Sequence, residues 1–539
     1  MLHKETDVLI VGAGLAGLEA AWAANAAGAR TLVLSKGPCA SGAVLGLNAP
    51  VGPGDSLALF CQDTFRGGWE LGDPALIRRL AEGAVETVFQ MEGMGQRFDR
   101  EETGYRLLQP LGCSVPRLVH SGNETGRISM ALLRGALEAA QVPFLENCMA
   151  LRLLKKEGRV QGALALALDT MEPLLISCKA VALCTGGAHV MGQSTYPLSQ
   201  TADGLHLAWE AGAALTDLEF IQFEPCRAVW PRPLGISTTL LSRGGTLKNR
   251  LGERFVLREY ESEGAAPKDQ LARLIALELA AGRGGEHGGV YLDLTGLPET
   301  EIKERHSLYY RRFLDAGIDL TRQIVEVGPA AHSMMGGVKI DENACASVAG
   351  LYAAGEVTGG LHGANRLGGN AGAETYVFGR IAGRSAALFA KPLPIPTWQD
   401  TDFSADFPAG KGCGTQYFEG LKGRIRQTLA QAAGPVRTEE TLAEGVRLLQ
   451  CLESQALENA LHWPAQKAKL EALHLARTGL LICRAALARR ESRGVHYRQD
   501  YPSRDDAHFK KSLIQQKEKQ RKGAVSIDRS ELRFQGNVL

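Results

Sequence analysis

The sequence predicts an α/β protein of several domains. The chain begins with an apolar strand, a glycine turn, a helix and a second strand. Residues 218–328 have shorter apolar runs, more charge and more loops than their flanks, and residues 438–490 carry apolar side chains at helical spacing. Because 539 residues exceed one ordinary hydrophobic core, these three patterns indicate separate domains.

The N-terminal unit has the order that a dinucleotide-binding site needs. Residues 7–11 read as a strand, the turn Gly12-Ala13-Gly14-Leu15-Ala16-Gly17 follows, and an alanine-rich helix leads to a strand at residues 31–34. Gly12 permits the tight turn, Gly14 lets a pyrophosphate approach the backbone, and Gly17 lets helix and strand pack closely. We therefore predict a Rossmann-like domain with the pyrophosphate at the helix N-terminus.

The second strand ends in Ser35-Lys36, where an acidic residue would be expected for the ribose of NAD. The hydroxyl of Ser35 can still bond a ribose, and this ending favours FAD, which many other contacts hold. We assign both residues to the cofactor site. The next loop, residues 39–51, is rich in small residues such as Ser41 and Gly42. We interpret it as backbone beneath a flat ligand, with a plain surface turn as the alternative.

A second cofactor contact is predicted behind a buried strand at residues 180–183. Thr185-Gly186-Gly187 follows this strand and fits a backbone turn against the cofactor. Asp203 then starts a helix, where it is expected to be the N-cap and to lie at the same site.

Residues 350–383 combine a short strand, a glycine-rich loop and a helix start. Such a loop lets backbone approach a ligand, and the helix N-terminus favours an electron-rich group in front of it. The loop contains Arg366 and ends at Asn370. We assign Asn370 to the cofactor and Arg366 to a carboxylate, because guanidinium binds carboxylates through two hydrogen bonds. An ion pair within the fold is the alternative for Arg366.

The overall charge and the cysteines exclude several classes. The 60 basic and 59 acidic residues argue against a nucleic-acid surface. Eleven cysteines contain no Cys-x-x-Cys pair, so we predict a reducing compartment and no zinc or iron–sulfur site. Neither a leader peptide nor an apolar run of membrane length is apparent, so we expect a cytoplasmic protein without an integral membrane segment.

The motifs together resemble the flavoprotein family that includes succinate dehydrogenase and fumarate reductase flavoprotein subunits and L-aspartate oxidase. The resemblance extends from Asp7 to about Asp506. The motifs that carry it are Gly12 to Gly17, Thr185-Gly186-Gly187, Ala202-Asp203-Gly204, His332-Ser333-Met334-Met335-Gly336-Gly337, residues 350–383, and Glu491-Ser492-Arg493-Gly494-Val495-His496 with Asp500-Tyr501-Pro502 and Arg504-Asp505-Asp506.

This resemblance implies an FAD-binding domain, an inserted α+β capping domain and a C-terminal helical domain. It implies that the FAD-binding domain comprises residues 1–218 and 329–395, the capping domain residues 219–328 and the helical domain residues 410–506. It also implies hydride transfer between flavin N5 and a substrate carbon, with Glu356 at the FAD ribose and Arg366 and His332 at a substrate carboxylate. No histidine lies in residues 39–51, where relatives with covalent FAD carry one, so we predict non-covalent FAD.

The capping region departs from the family pattern at three places. The family's Gln-x-His-Pro-Thr appears as Gln222-Phe223-Glu224-Pro225-Cys226, so an acid replaces a substrate-binding histidine. The family's Pro-Arg-Asp, whose arginine donates a proton, appears as Pro267-Lys268-Asp269. Its Arg-Gly-Glu-Gly-Gly segment is shortened to Arg243-Gly244-Gly245. We expect Lys268 to exchange the proton and Glu224 to face a neutral or cationic group of the substrate.

Three functions follow as hypotheses. The first is an FAD-dependent oxidoreductase acting on a CH–CH or C=C pair beside a carboxylate, with a substrate other than plain fumarate. The second is an amino-acid oxidase of the L-aspartate oxidase kind. The third is a flavin subunit that only transfers electrons to or from a partner protein. Residues 507–539 are expected to be a solvated basic tail, or a partner-docking surface, formed by Lys510, Lys511, Lys517, Lys519, Arg521 and Lys522 against one acid, Glu518.

Overall fold

The computed structural model describes residues 2–102, 104–398, 408, 410–517 and 530–535. The predicted α/β class with a helical C-terminal region is confirmed. The helices are α1 (Leu15–Ala26), α2 (Leu57–Gly67), α3 (Pro74–Gly93), α4 (Thr125–Ala139), α5 (Asp203–Ala211), α6 (Lys268–Ala280), α7 (Ser307–Leu314), α8 (Asn370–Ala390), α9 (Thr415–Ala433), α10 (Glu439–Ala456), α11 (Trp463–Ala488) and α12 (Asp506–Phe509).

The strands are β1 (Leu2–Glu5), β2 (Val8–Val11), β3 (Thr31–Leu34), β4 (Leu47–Asn48), β5 (Arg100–Glu101), β6 (Gly104–Tyr105), β7 (Leu118–Val119), β8 (Phe144–Leu145), β9 (Cys148–Lys156), β10 (Arg159–Ala167), β11 (Glu172–Ser177), β12 (Ala180–Leu183), β13 (Leu215–Thr216), β14 (Ile221–Ala228), β15 (Thr246–Lys248), β16 (Val290–Asp293), β17 (Val325–Met334), β18 (Gly337–Lys339), β19 (Leu351–Ala353), β20 (Thr358–Gly359), β21 (Ser512–Lys517) and β22 (Ser530–Gln535).

A parallel sheet in the order β19-β12-β2-β3-β8 forms the centre of the N-terminal domain. All four residues of β2, and all four of β12, are buried, as expected for strands that are covered on both faces. α1 connects β2 to β3 and packs on α8. The carboxyl ends of these strands therefore meet at one edge of the sheet, where ligands bind in open α/β folds.

The inserted region builds a separate α+β unit. Its antiparallel sheet has the order β14-β17-β16-β15 and is covered by α6. Apolar side chains from these strands and α6, including Leu247, Ile275 and Val290, form a core distinct from the main one. Both β14 and β17 also run into the main domain, so residues on these two strands lie between the two units.

The C-terminal region contains three packed helices, α9, α10 and α11. The helical periodicity of residues 438–490 corresponds to α10 and α11, and Pro464 lies in the first turn of α11, where its missing N–H is harmless. Helix α9 was not predicted from the sequence, although Phe418, Leu421 and Ile425 give it a buried face. Among the described residues, no helix has the length and apolarity needed to cross a membrane.

The structure differs from the predicted solvated tail over Ser512–Lys517. This segment is β21, which pairs with β13 and is buried over its first four residues. The backbone N–H of Leu513 also donates to Asp217 Oδ1 at 2.9 Å. The segment looked solvated because its two glutamines are polar, but Gln515 is buried and donates to the Leu481 carbonyl. Lys519, Arg521 and Lys522 lie outside the described residues.

Candidate active site

A long cavity opens at the carboxyl ends of β2, β3, β12 and β19. Most of the predicted cofactor residues line it, namely Gly12, Gly14, Ser35, Lys36, Ser41, Thr185, Gly186, Asp203 and Glu356. These residues come from five separated segments of the chain, and the sheet brings them together.

The glycine turn is shaped by close backbone contacts. Gly12 has φ +113°, and a Cβ there would lie 2.2 Å from the carbonyl oxygen of Cys184. A Cβ on Gly17 would lie 1.8 Å from the carbonyl oxygen of Gly12, so Gly17 belongs to the packing beneath the turn and does not line the cavity. Side chains at either position would disrupt the junction of β2, α1 and β12.

Gly14 faces Ser41 across the entrance to α1. Ser41 Oγ accepts a hydrogen bond from the backbone N–H of Leu15 at 3.0 Å. A Cβ on Gly14 would lie 2.8 Å from the same oxygen. Ser41 thus lines the cavity and also holds the first turn of α1, and its hydroxyl can still donate to a ligand, so its cofactor contact stays a prediction. Gly14 keeps the helix N-terminus accessible from the cavity.

Two other predicted cofactor residues lie away from the cavity wall. A Cβ on Gly42 would contact nothing within 4 Å. Asn370 uses both polar atoms of its amide inside the protein: Nδ2 donates to Thr64 Oγ1 at 3.2 Å, and Oδ1 accepts from Asn48 Nδ2 at 2.7 Å. Asn370 thus fixes the first turn of α8 rather than presenting its amide to the cavity.

Asp203 is not the N-cap that its position predicted. α5 has no side-chain cap, and the residue before it, Ala202, adopts a left-handed conformation. The carboxylate of Asp203 instead accepts from Lys36 Nζ at 2.7 Å and pairs with His474 Nδ1 at 2.8 Å. The pKa of Asp203 is held far below its usual range: burial opposes the charge, but Lys36 and His474 outweigh it. Lys36 is also paired with Glu471 of α11, so its charge is neutralised within the protein.

The cavity has the features that FAD needs. The N-terminus of α1 offers backbone N–H groups to a pyrophosphate, and the walls at Gly186, Gly187 and Gly355 carry no side chain. The side chain of Gln200 lines the same cavity, and its buried Oε1 has no hydrogen-bond partner in the described structure. A buried orphan acceptor of this kind is stabilised by a donor from a bound ligand. The residues present therefore fit the cofactor.

Glu356 lines the cavity and is half-buried. One of its oxygens, Oε1, accepts from the Tyr196 hydroxyl in a short hydrogen bond and from the backbone N–H of Met334 at 3.0 Å. Burial raises the pKa of Glu356, and burial together with this carboxylate raises the pKa of Tyr196. The second oxygen of Glu356, Oε2, lies near Gly187. The predicted contact with the FAD ribose therefore falls to Oε2 and stays a prediction.

Arg366 lies close to Glu356 and is held by Gln222 of the cap. Its NH2 group donates to Gln222 Oε1 at 2.8 Å, and NH1 donates to the Leu367 carbonyl at 3.2 Å. Its Nε is buried without a partner among the described residues. The alternative role in an internal ion pair is not supported, because no carboxylate in the described chain forms a salt bridge with this guanidinium.

His332 lies on β17, where its Nδ1 is 3.0 Å from Thr195 Oγ1. Burial, followed by the charges of Arg366, Lys268 and Arg227, lowers the pKa of His332 to about 3. The imidazole is therefore neutral at physiological pH and recognises a ligand as a hydrogen-bonding group rather than as a cation.

Lys268 and Glu224 form an ion pair on the cap side of the same region. Lys268 Nζ lies 2.8 Å from Glu224 Oε2, and the Lys268 side chain is 41% exposed. Lys268 is the first residue of α6, and Glu224 lies on β14. Glu224 Oε1 is buried without a hydrogen-bond partner in the described structure. The structure thus brings Lys268, Glu224, His332 and Arg366 together, and the partner of Glu224 is the lysine.

Four polar residues of this site were not predicted from the sequence. Tyr196 and Thr195 contact Glu356 and His332 from the loop after the Gly-Gly turn, Gln222 positions Arg366, and Gln200 faces the cofactor cavity. Gln222 stood in a recognised motif and could have been found there. The other three lie in a loop without a motif of its own, and only the folded contacts identify them.

A cavity lined by a glycine turn at the N-terminus of α1, at the carboxyl ends of a parallel sheet, defines a dinucleotide-binding flavoprotein of the FAD-dependent oxidoreductase class. Comparison with known proteins agrees. A family profile described as an FAD binding domain matches residues 7–371, and one described as the fumarate reductase flavoprotein C-term matches residues 422–537. The chain belongs to the flavoprotein family of fumarate reductase and succinate dehydrogenase flavoproteins and L-aspartate oxidase.

Individual relatives match along nearly the whole chain. A fumarate reductase (CoM/CoB) subunit from Methanothermobacter marburgensis is 35% identical, over 92% of this chain and 95% of the relative. L-aspartate oxidase of Vibrio cholerae is 31% identical, over 93% and 96%. Among solved structures, Mycobacterium smegmatis Sdh1 in complex with UQ1 has a TM-score of 0.89 and 30% identity, over 100% of this chain and 95% of that one. The E. coli quinol fumarate reductase FrdA structure has a TM-score of 0.89 and 25% identity, over 100% and 98%.

Proposed function

We propose that this flavoprotein transfers a hydride between flavin N5 and a carbon of a small carboxylate-bearing substrate other than plain fumarate. The reaction is reduction of a C=C bond or oxidation of a CH–CH pair. One observation carries the proposal: Arg366, the carboxylate anchor, and Lys268, which is paired with Glu224, both lie close enough to His332 for their charges to lower its pKa. A substrate whose carboxylate binds Arg366 therefore has a proton donor or acceptor near it.

The anchor is already oriented before substrate binds. Gln222 and the Leu367 carbonyl fix the guanidinium of Arg366, and its buried Nε remains without a partner among the described residues. Burial lowers the pKa of Arg366, a sign that its charge is incompletely compensated. A substrate carboxylate would compensate it, and the neutral ring of His332 would add a hydrogen bond.

Lys268 is the group that we assign to proton exchange. Reduction of C=C needs a hydride at one carbon and a proton at its neighbour, and Lys268 Nζ supplies the proton. Oxidation reverses both transfers. Glu224 holds the ammonium in place, and the partial exposure of Lys268 lets solvent replace the proton after each turnover. With Lys268 exchanging the proton with solvent, the shortened segment at Arg243 does not need to supply an acid for a proton relay.

Bound FAD supplies the two-electron chemistry, and we propose that it is held without a covalent bond, because residues 39–51 contain no histidine. Acid precipitation tests this attachment. The flavin should remain in the supernatant, and a yellow protein pellet would contradict it.

An anaerobic screen tests the function. Photoreduced enzyme is mixed with unsaturated carboxylates, and oxidised enzyme with saturated ones, while the flavin band near ~450 nm is followed. We expect carboxylates with an adjacent C=C or CH–CH pair to change this band, and their amides to leave it unchanged. If the flavin band changes equally with the acid and with its amide, the carboxylate anchor is contradicted. A fast reaction with fumarate would contradict the proposal that the substrate is not plain fumarate.

A second function is favoured by the unpartnered oxygen of Glu224. An ammonium group on the substrate could donate to Glu224 Oε1, as in oxidation of an amino acid to its imine. Hydrogen peroxide released from aspartate in air would identify this reaction. Its absence, together with turnover of unsaturated carboxylates, would favour the first function.

We further propose that a partner protein exchanges electrons with the flavin, as the naming of the Methanothermobacter relative, a subunit of its enzyme, suggests. A flavin that a partner reduces, in a chain that turns over no small molecule, would indicate the third function, electron transfer alone. We place the protein in the cytoplasm, supported by the eleven cysteines, all of which are free.

A further inference from the structure

A second cavity, here called the junction cavity, lies where the cap, the N-terminal domain and the C-terminal region meet. Helix α6 of the cap forms one wall, Trp69 of the N-terminal domain another, and residues between 492 and 504 a third. Its volume is about 200 Å³, which suits a small molecule. The side chains assigned to the candidate active site, namely Lys268, Glu224, His332 and Arg366, do not line it.

Two oppositely charged side chains of α6 line this cavity without pairing with each other. Asp269 and Arg273 lie one helical turn apart, with the acid nearer the N-terminus, and this arrangement favours a direct ion pair. Arg273 pairs instead with Glu259, and no salt bridge joins it to Asp269 in the described part of the chain. The cavity therefore presents an acid and a base whose charges are both available to a ligand.

The guanidinium of Arg273 is held in place but is not fully satisfied. Its NH2 group donates to Glu259 Oε2 at 2.9 Å, and its Cζ lies 4.9 Å from the centroid of the Tyr497 ring. Its Nε is buried and has no hydrogen-bond partner among the described residues. An unpaired buried donor costs stability, and an acceptor on a bound ligand would remove that cost.

The carboxylate of Asp269 has the opposite need. It forms no salt bridge within the described structure, and its side-chain partner there is its neighbour Gln270, whose Nε2 donates to Oδ2 at 3.0 Å. Burial raises the pKa of Asp269 and outweighs the charge of Arg273, which acts in the opposite direction. A cationic donor in the cavity would stabilise the ionised carboxylate.

The rest of the wall is mainly apolar. Phe223, Pro435 and Val495 contribute hydrocarbon surface, and Trp69 and Tyr497 contribute aromatic rings. Side chains one helical turn apart begin about 5–6 Å from each other, so one short molecule can contact both charges of α6. A ligand that suits the whole cavity has a carboxylate, an ammonium group and an apolar side chain.

We propose that the junction cavity binds an apolar α-amino acid, with its carboxylate at Arg273 Nε and its ammonium group at Asp269. Such a ligand would act as an effector. Lys268 is the first residue of α6, and the backbone N–H of Val495 donates to the Ala364 carbonyl at 3.0 Å, two residues before Arg366. A bound amino acid would thus join the helix that carries Lys268 to the segment that supports the loop of Arg366. This effect on turnover, unlike the binding itself, rests on the proposed function.

Calorimetry on the FAD-loaded enzyme, without oxygen, tests the binding. L-leucine is compared with L-leucinamide, which lacks the carboxylate, and with 4-methylpentanoate, which lacks the ammonium group. We expect wild type to bind leucine at least about tenfold more tightly than either analogue. Arg273→Gln should lose the preference over leucinamide only, and Asp269→Asn should lose the preference over 4-methylpentanoate only. A general loss of structure would not produce this crossed pattern.

Two further variants locate the ligand. Glu259→Gln removes the outer partner of Arg273 but does not alter the cavity wall, so it should bind leucine as wild type does. Arg366→Gln should also keep leucine binding. Leucine binding that is lost in Arg366→Gln and kept in Arg273→Gln would place the amino acid in the active site and overturn the inference, as would a wild type that does not bind leucine.

Steady-state kinetics tests the effector role. Saturating leucine should raise kcat/KM for a carboxylate substrate about fivefold or more, and this rise should be absent in Arg273→Gln. Leucine that binds with the crossed pattern but leaves kcat/KM unchanged would exclude the coupling to Lys268. If leucine binds in this way and the enzyme turns over no carboxylate, the proposed function fails while the binding site stands.

Discussion

Lys36 Nζ at the end of β3 lies 2.8 Å from Glu471 Oε1 on α11, and both side chains are largely buried. This contact ties the wall of the cofactor cavity to the C-terminal helices. Glu471 also holds Lys422 of α9 at 2.6 Å and Lys467 at 3.0 Å. These three lysines lower the pKa of Glu471 to about 2, despite burial, which acts in the opposite direction and is the largest single influence.

Glu471→Gln should therefore destabilise the protein strongly. Removing one member of a buried ion pair costs about 3–5 kcal/mol. Because the unfolding entropy grows with chain length, this cost predicts a fall of roughly 3–4 °C in the midpoint of thermal unfolding at pH 7. Glu444→Gln is the control, since Glu444 forms an exposed pair with Arg447 within one helix. Equal midpoints for the two variants would show that the buried cluster contributes nothing.

The same variant should show a defined pH dependence. A carboxyl whose pKa is depressed on folding contributes stability above its unfolded pKa, here 4.5, and this contribution is lost as the pH falls towards 2. The gap between the midpoints of wild type and Glu471→Gln should thus be constant from pH 7 to 5 and should narrow below about 4.5. A gap that widens in acid would have the wrong sign for this carboxylate.

Two glycine variants should separate cavity lining from loop geometry. Gly14→Ala places a Cβ 2.8 Å from Ser41 Oγ, where the phosphates are expected, and should weaken FAD binding roughly tenfold or more. Gly42→Ala meets nothing within 4 Å and should bind FAD as wild type does. Flavin content after dialysis measures both, and a yellow Gly14→Ala protein would place the phosphates elsewhere.

Lys268→Met should reduce turnover about 10²–10⁴-fold, the range for loss of a general acid or base, with FAD content unchanged. Lys268→Arg keeps the positive charge beside Glu224 and should retain more activity. Lys303→Met, which changes another lysine of the cap that is ion-paired with Glu299, is the control. Stopped-flow kinetics of flavin reduction or reoxidation gives the rate, and an undiminished rate in Lys268→Met would assign the proton to another group.

His332 should remain neutral throughout the physiological range. With its pKa near 3, its imidazole signals in a nuclear magnetic resonance titration should stay constant from pH 8 to about 4.5. Because the unfolded chain takes up this proton near pH 6.5 and the folded chain does not, acid between these limits favours unfolding. Two variants test the same neutral role. Glutamine can still donate a hydrogen bond to a substrate carboxylate and alanine cannot, so His332→Gln should bind carboxylates more tightly than His332→Ala.

The parts of the molecule that the sequence predicts well are those with local causes. Gly12, Gly14 and Gly17 stand in one turn whose strand and helix flank it directly, so spacing alone locates the dinucleotide site. The same holds for α10 and α11, whose apolar periodicity is continuous.

The parts that escaped prediction depend on distant partners. Asp203 obeys the local rule for an N-cap, but Lys36 and His474, far away in sequence, take its carboxylate. Gln515 is polar yet buried, because neighbouring elements cover β21.

The pairing of β21 with β13 also determines when the protein can finish folding during its synthesis. Leu513 and Asp217 are joined by a hydrogen bond but lie 296 residues apart in the chain. While the ribosome makes those residues, the edge of β13 stays open to other strands, and a nascent chain at this stage is exposed to aggregation and proteolysis. Completion of the sheet late in translation makes residues 512–517 a poor place to end an expression fragment.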